Sequence, residues 1–164
     1  LDLFPTRLRW VQCGFDNSVQ SSVSELRRMM RSTGSASLAN ADITFLASDV
    51  VTGSNVVSAL RELEVASVAT FAPDQQERRR EKMAFYMGDA RIKATTLHSF
   101  KGWEAPLLVV HIDAAAGAQS LALIYAGLTR LKRRAEGSSL TVVCAAPELL
   151  EFGRTWPDFV EAWQ

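Results

Sequence analysis

Three short stretches of this chain are apolar almost throughout: Ile43 to Ala47, Leu107 to Ile112 and Leu140 to Ala145. They lack the in–out alternation of a strand with one wet face, so each reads as a strand buried on both sides, the habit of parallel sheets. Leu8 to Cys13, Ala66 to Phe71 and Ile92 to Leu97 add three more strand-like runs, giving about six. The segments between them carry helical signals. Asp16-Asn17-Ser18 offers N-cap chemistry to a helix whose Val19, Val23, Leu26 and Met30 share one face, with Arg27, Arg28 and Arg31 near its C-terminal end. Further helices are expected over Val56 to Leu63, Gln75 to Tyr86, Ser120 to Leu131, Pro147 to Phe152 and Pro157 to Trp163, with small-residue loops at Ser32 to Asn40 and Ala114 to Ala118. Strands alternating with helices predict an α/β fold around a mostly parallel sheet covered on both faces.

The 164 residues suffice for one domain with a real core, and the single domain is expected to span 1–164. Eighteen basic and eighteen acidic residues cancel, so nucleic-acid binding would need a local patch rather than a basic chain. Cys13 and Cys144 lack metal spacing and lie in strand-like runs, which predicts buried free thiols, a cytoplasmic protein and no metal site. No apolar run approaches the roughly 20 residues of a membrane span, and the opening Leu-Asp-Leu-Phe-Pro has no basic leader, so no membrane partner is expected. The absence of an initiator Met points to a piece of a longer chain. The run Arg78-Arg79-Arg80-Glu81-Lys82 reads as the solvated face of a helix.

Chemistry concentrates between Thr95 and Glu104, where a β-branched run breaks into a turn holding His98, Ser99, Lys101, Gly102 and Glu104. Ligands of open α/β sheets sit at the carboxyl ends of strands, so a cation, a glycine and a carboxylate there suggest a site. A second anchor is Leu123 to Arg130. Equally informative is what is missing. The chain has no G-x-x-x-x-G-K-[ST] loop to cradle phosphates, no G-x-G-x-x-G, and no nucleophile elbow. His111 lies within an apolar run and reads as a core or edge residue. Alone, the chain does not look like a complete catalyst.

Thr96-Leu97-His98-Ser99-Phe100-Lys101-Gly102-Trp103-Glu104 resembles motif V of the superfamily 1 DNA helicases of the UvrD/Rep type, T-x-H-x-x-K-G-L-E. Tyr125-Ala126-Gly127-Leu128-Thr129-Arg130 resembles their motif VI, Y-V-A-[LM]-T-R-A. Order and separation agree with the second RecA-like motor domain of that family. The resemblance is sharp over Ile92 to Val143 and architectural over Leu8 to Phe71. It implies a RecA-like three-layer sandwich without its own P-loop, closing over ATP and Mg²⁺ held mainly by a first RecA-like domain of the same parent chain. It also implies a track for single-stranded DNA. By the same resemblance, Arg130 would be an arginine finger on the transferring phosphoryl group, and a planar, permanently charged guanidinium suits that role. Glu104 would accept from the ribose hydroxyl, Gly102 would let the backbone approach the nucleotide, and Thr129 would lie beside it. Thr96, His98 and Ser99 would face the DNA; Lys101 could serve either surface. Trp103 reads as packing rather than base stacking, and Tyr125, Leu123 and Leu128 as core.

The chain also departs from the pattern. Where relatives carry N-Y-R-S after the first strand, it reads Gly14-Phe15-Asp16-Asn17-Ser18, without the arginine. Ile43 to Ser48 lacks an arginine too, and the basic residues usual before motif VI are Leu121 and Ala122. Only about twenty residues separate Phe71 from motif V, so the large accessory insertion of many relatives is reduced to about 72–90. The missing arginine keeps a second expectation open: a degenerate RecA-like scaffold or regulatory module without ATPase activity. A third is an unrelated doubly wound domain for a small phosphorylated ligand.

Overall fold

A computed structural model describes residues 5–32, 40–113 and 120–163. Strands β1 (Thr6–Cys13), β2 (Ile43–Ala47), β3 (Ser67–Ala69), β4 (Ile92–Thr96), β5 (Leu107–Ile112), β6 (Ser138–Cys144) and β7 (Asp158–Ala162) form one sheet in the order β3-β4-β2-β5-β6-β1-β7. Every pair is parallel. The expected α/β class holds, and the chain is a three-layer sandwich of the RecA-like kind.

Central strands are buried on both faces because each face has its own cover. On one side α1 (Ser18–Ser32) and α2 (Val50–Glu62) bring Val23, Leu26, Val56 and Leu60 onto Ile43, Phe45 and Val109. On the other, α4 (Ser120–Thr129), a short α5 (Leu150–Gly153) and the segment after β4 bring Ile124, Leu149, Leu97 and Phe100 onto Leu46, Leu108 and Val110. Trp10 fills this second core, edge-on to Phe152 and Trp156. Gly153 is small for a reason, since a Cβ there would overlap the Trp10 indole. Helix α3 (Gln75–Ala84) buries nothing; the solvated arginine run is where the sequence put it.

Several expectations are corrected. The terminal segment is the strand β7, not a helix: Asp158 to Ala162 pairs with Arg9 to Cys13. The open edge of β1 supplies a ladder for β-formers Phe159 and Val160, and Arg9 clamps Asp158 at 3.0 Å and Glu25 at 2.9 Å. Strands therefore number seven. Tyr125 is exposed, 61%, rather than core, because α4 turns Ile124 and Gly127 to the sheet. Leu128 is partly buried against the core, whereas the side chain of Leu123 lies outside the described part. Helix α4 stops at Thr129, two residues early, since Leu131 is drawn into a parallel bridge with Ala105. The loops expected at Ser32 to Asn40 and Ala114 to Ala118 fall on 33–39 and 114–119, outside the described residues. Cys13 and Cys144 are buried free thiols, and burial pushes them up to about 11 and about 12.

Candidate functional site

Strand β2 lies between β4 and β5, so the chain from Thr96 to Ala105 must cross a face of the sheet from its carboxyl edge to its amino edge. Leu97 and Phe100 anchor that crossing in the second core. The residues read as one turn are thereby divided between opposite ends.

At the carboxyl edge, the Thr96 hydroxyl donates to Ser99 Oγ (3.0 Å) and accepts from Ser99 N–H (3.1 Å). Phe100 N–H donates to Thr96 C=O, completing a helical turn. This leaves the Ser99 hydroxyl proton and the exposed His98 imidazole without an internal acceptor. On the neighbouring strands, Ser48 Oγ accepts from Asp113 N–H (2.9 Å) and lies 3.3 Å from His111 Nδ1. His111 is an interior residue of a central strand, 1% exposed; its Nε2 and the Oδ2 of Asp49 are buried without a hydrogen-bond partner, and that Oδ2 lies 4.0 Å from His111 Nδ1. Asp49 Oδ1 caps α2 through Thr52 N–H, 2.8 Å. Burial pushes the His111 imidazole below its ordinary range, partly offset by Asp49 and Asp113.

On the crossing towards the amino edge, Gly102 adopts φ +90, a left-handed conformation that L side chains resist, and a Cβ there would meet open space. Glu104 follows, exposed. Ala105 N–H then donates to Arg130 C=O (3.1 Å), and Lys132 N–H donates to Ala105 C=O (2.8 Å). These two bonds bring Glu104 beside Arg130 and fix their backbones while both side chains stay unpaired. The Thr129 hydroxyl donates to Ala126 C=O (2.9 Å), so only its lone pairs face outward. Lys101 stands exposed on the crossing, and Trp103 lies edge-on to Phe85. Gly127 lets α4 press onto β5, its Cβ position 3.3 Å from Val110.

The structure thus brings Glu104 beside Thr129 and Arg130 at one end and keeps Thr96, His98 and Ser99 at the other, with Gly102 on the crossing between them. A free guanidinium beside a free carboxylate suits a phosphate and a sugar hydroxyl. Among the described residues no group of three His, Cys, Asp or Glu is placed to hold a metal.

Sequence reading passed over Lys93. Wholly buried in β4, its ammonium donates to the carbonyls of Ala41 (2.7 Å), Asp89 (2.7 Å) and Arg91 (3.1 Å). Burial lowers its pKa against the pull of Asp89 and Asp42. A lysine inside a β-branched run was the available signal.

No protein family and no curated protein matches the chain significantly. Among solved structures, it is similar to the C-terminal domain of a possible DNA helicase from Lactobacillus plantarum WCFS1, with a TM-score of 0.52 and 16% identity over 98% of this chain and 85% of that one. At that identity the likeness is one of fold. No helix among the described residues is long and apolar enough to cross a membrane. The chain shares the fold of that domain.

Proposed function

We propose that this chain is the C-terminal motor domain of an ATP-dependent DNA helicase or translocase of the UvrD/Rep type. The observation that carries the reading is the pairing of Glu104 with Arg130 through the Ala105–Arg130 backbone bond. Two motifs 20-odd residues apart in sequence meet at one edge with complementary, unspent side chains. The fold likeness to a helicase C-terminal domain supports the same reading.

ATP and Mg²⁺ belong mainly to a first RecA-like domain elsewhere in the parent chain. When bound there, Mg²⁺ neutralises charge on the β- and γ-phosphates. On this side of the cleft, Arg130 reaches the γ-phosphoryl group and stabilises the charge that develops during transfer. Glu104 orients the ribose by accepting its hydroxyl, Gly102 clears the approach, Thr129 lines it and Lys101 adds positive potential. At the opposite edge Thr96, Ser99 and His98 hold DNA phosphates through hydroxyls and the imidazole, contacts that position the strand without reading sequence.

The test is single-stranded-DNA-stimulated ATPase activity of the parent, wild type against Arg130→Ala. A fall of about 10³-fold or more with nucleotide affinity retained is expected of an arginine finger. Unchanged turnover would refute it. The second reading, a scaffold without ATPase activity, is favoured by one observation. The turn after β1 holds no cation and is tied down internally, with Asn17 Nδ2 donating to Ala162 C=O and Asn17 Oδ1 accepting from Gly14 N–H. A parent with no turnover in either form would favour the scaffold.

A further inference from the structure

Helix α3 is built to present one face outward. Arg78 Nε donates to Ala72 C=O (2.9 Å), Glu81 Oε1 accepts from Ala72 N–H (2.8 Å), and Phe85 just beyond the helix is buried, so positions 78, 81 and 85 form the attached stripe. Arg79, Arg80 and Met83 therefore face away, and Met83 is 88% exposed. Just beyond the helix end are two half-exposed rings, each held from below. The Tyr86 ring lies over Gly88, where a Cβ would overlap it. Trp103 rests edge-on against Phe85, centroids 6.4 Å apart.

The charge around these rings is uneven. Arg79, Arg80, Lys82 and Lys101 make no ion pair. Of the nearby carboxylates, Asp74 caps α3, Glu81 is engaged with the backbone and Asp89 holds Arg91 at 2.8 Å. On the helix only Glu77 remains to oppose Arg79, Arg80 and Lys82. In a chain of zero net charge this is the local patch that nucleic-acid binding requires. Positioned rings beside unpaired guanidiniums match the combination that holds unpaired bases and their phosphates.

We propose that the outer face of α3, with Tyr86 and Trp103, is a contact surface for single-stranded nucleic acid, separate from the Thr96–Ser99 end of the sheet. Arg79 and Arg80, aided by Lys82, hold phosphates, and the two rings stack bases. The contact is sequence-tolerant and needs no ATP, so it does not rest on the role of Arg130.

The experiment titrates the chain against a fluorescein-labelled oligothymidylate of about twenty nucleotides, over a series of salt concentrations. Arg79→Gln with Arg80→Gln, on the exposed face, should weaken binding at least about tenfold. It should also reduce the slope of log affinity against log salt by about 1.4, the share of two phosphate contacts on a single strand. Tyr86→Ala should weaken binding between about fivefold and a hundredfold, the range for one stacked base. Tryptophan fluorescence should be quenched on binding in wild type and in Trp163→Phe, but not in Trp103→Phe. No binding by the wild-type chain, or binding and salt slope unchanged in the arginine variant, would overturn the proposal. So would a variant that binds the oligonucleotide normally but loses association with the upstream domain, which would make the face a protein contact. If only Thr96→Val and His98→Ala weaken binding, the α3 surface is wrong while the motor reading stands.

Discussion

The two edges of the sheet are made differently. At the amino edge the backbone is cross-tied: three carbonyls share the Lys93 ammonium, Arg134 pairs with Asp42 at 2.8 Å, and Ala105 is bonded to both Arg130 and Lys132, while Asn40 Oδ1 and Thr44 Oγ1 are buried there without a hydrogen-bond partner. At the carboxyl edge, His111 Nε2 and Asp49 Oδ2 are buried without a hydrogen-bond partner, Asp49 Oδ2 lying 4.0 Å from His111 Nδ1, and the turn from Thr96 to Ser99 closes mostly on itself. Buried polar groups without partners are costly, and proteins keep few of them. The contrast that remains is one of cross-ties: Glu104 and Arg130 are offered from a frame in which neighbouring segments are bonded to one another. Such a frame suits a group that must meet a transferring phosphoryl without reorganising. Thr96, His98 and Ser99 sit on an edge with polar capacity in hand.

Substitutions can break or sharpen this contrast. The largest effect should come from Lys93→Met, which strands three part-buried carbonyls. Each unsatisfied buried group costs about 1–3 kcal/mol, so a loss of about 3 kcal/mol or more is expected in urea unfolding, and a loss under 1 kcal/mol would deny that the amino edge is specially tied. Gly102→Ala should cost about 1–2 kcal/mol, since nothing crowds a Cβ and only the left-handed backbone opposes it; an unchanged midpoint would show that the turn relaxes freely. His111→Leu should cost less than about 1 kcal/mol, because it removes an unpaired buried nitrogen along with one long contact to Ser48.

His111 also gives a pH signature. Its folded pKa is depressed, chiefly by burial, so the unfolded chain takes up the proton first. Its contribution is complete above the ordinary histidine range near 6.5 and is lost as pH falls from there toward the folded value. The urea midpoint should therefore drop between about pH 7.5 and 5.5 in wild type and drop less in His111→Leu. Equal drops would assign the pH dependence to other groups.

Much of the fold was legible because two-sided burial leaves its mark in composition: runs such as Leu107 to Ile112 have few other uses. What escaped was decided at a distance. Phe159, Val160 and Trp163 sit at helical spacing, and only the free edge of β1 makes a strand of them. Tyr125 shares its stretch with core residues but looks outward once α4 turns Ile124 inward. The candidate site was legible as residues and not as an arrangement. Thr96 to Glu104 reads as one turn until β2 is known to lie between β4 and β5, and then Leu97 and Phe100 become the anchors of a crossing.

The central claim is that hydrolysis and strand grip reside at opposite edges, and it is tested by measuring both properties on both edges in the full-length parent. Turnover at saturating DNA and single-stranded-DNA affinity without nucleotide would be compared for Arg130→Ala and for Thr96→Val with His98→Ala. The account predicts a crossed result: Arg130→Ala loses turnover about 10³-fold with DNA affinity unchanged, and the Thr96/His98 variant loses DNA affinity while keeping turnover at saturating DNA. Loss of DNA affinity in Arg130→Ala matching that of the other variant would contradict it.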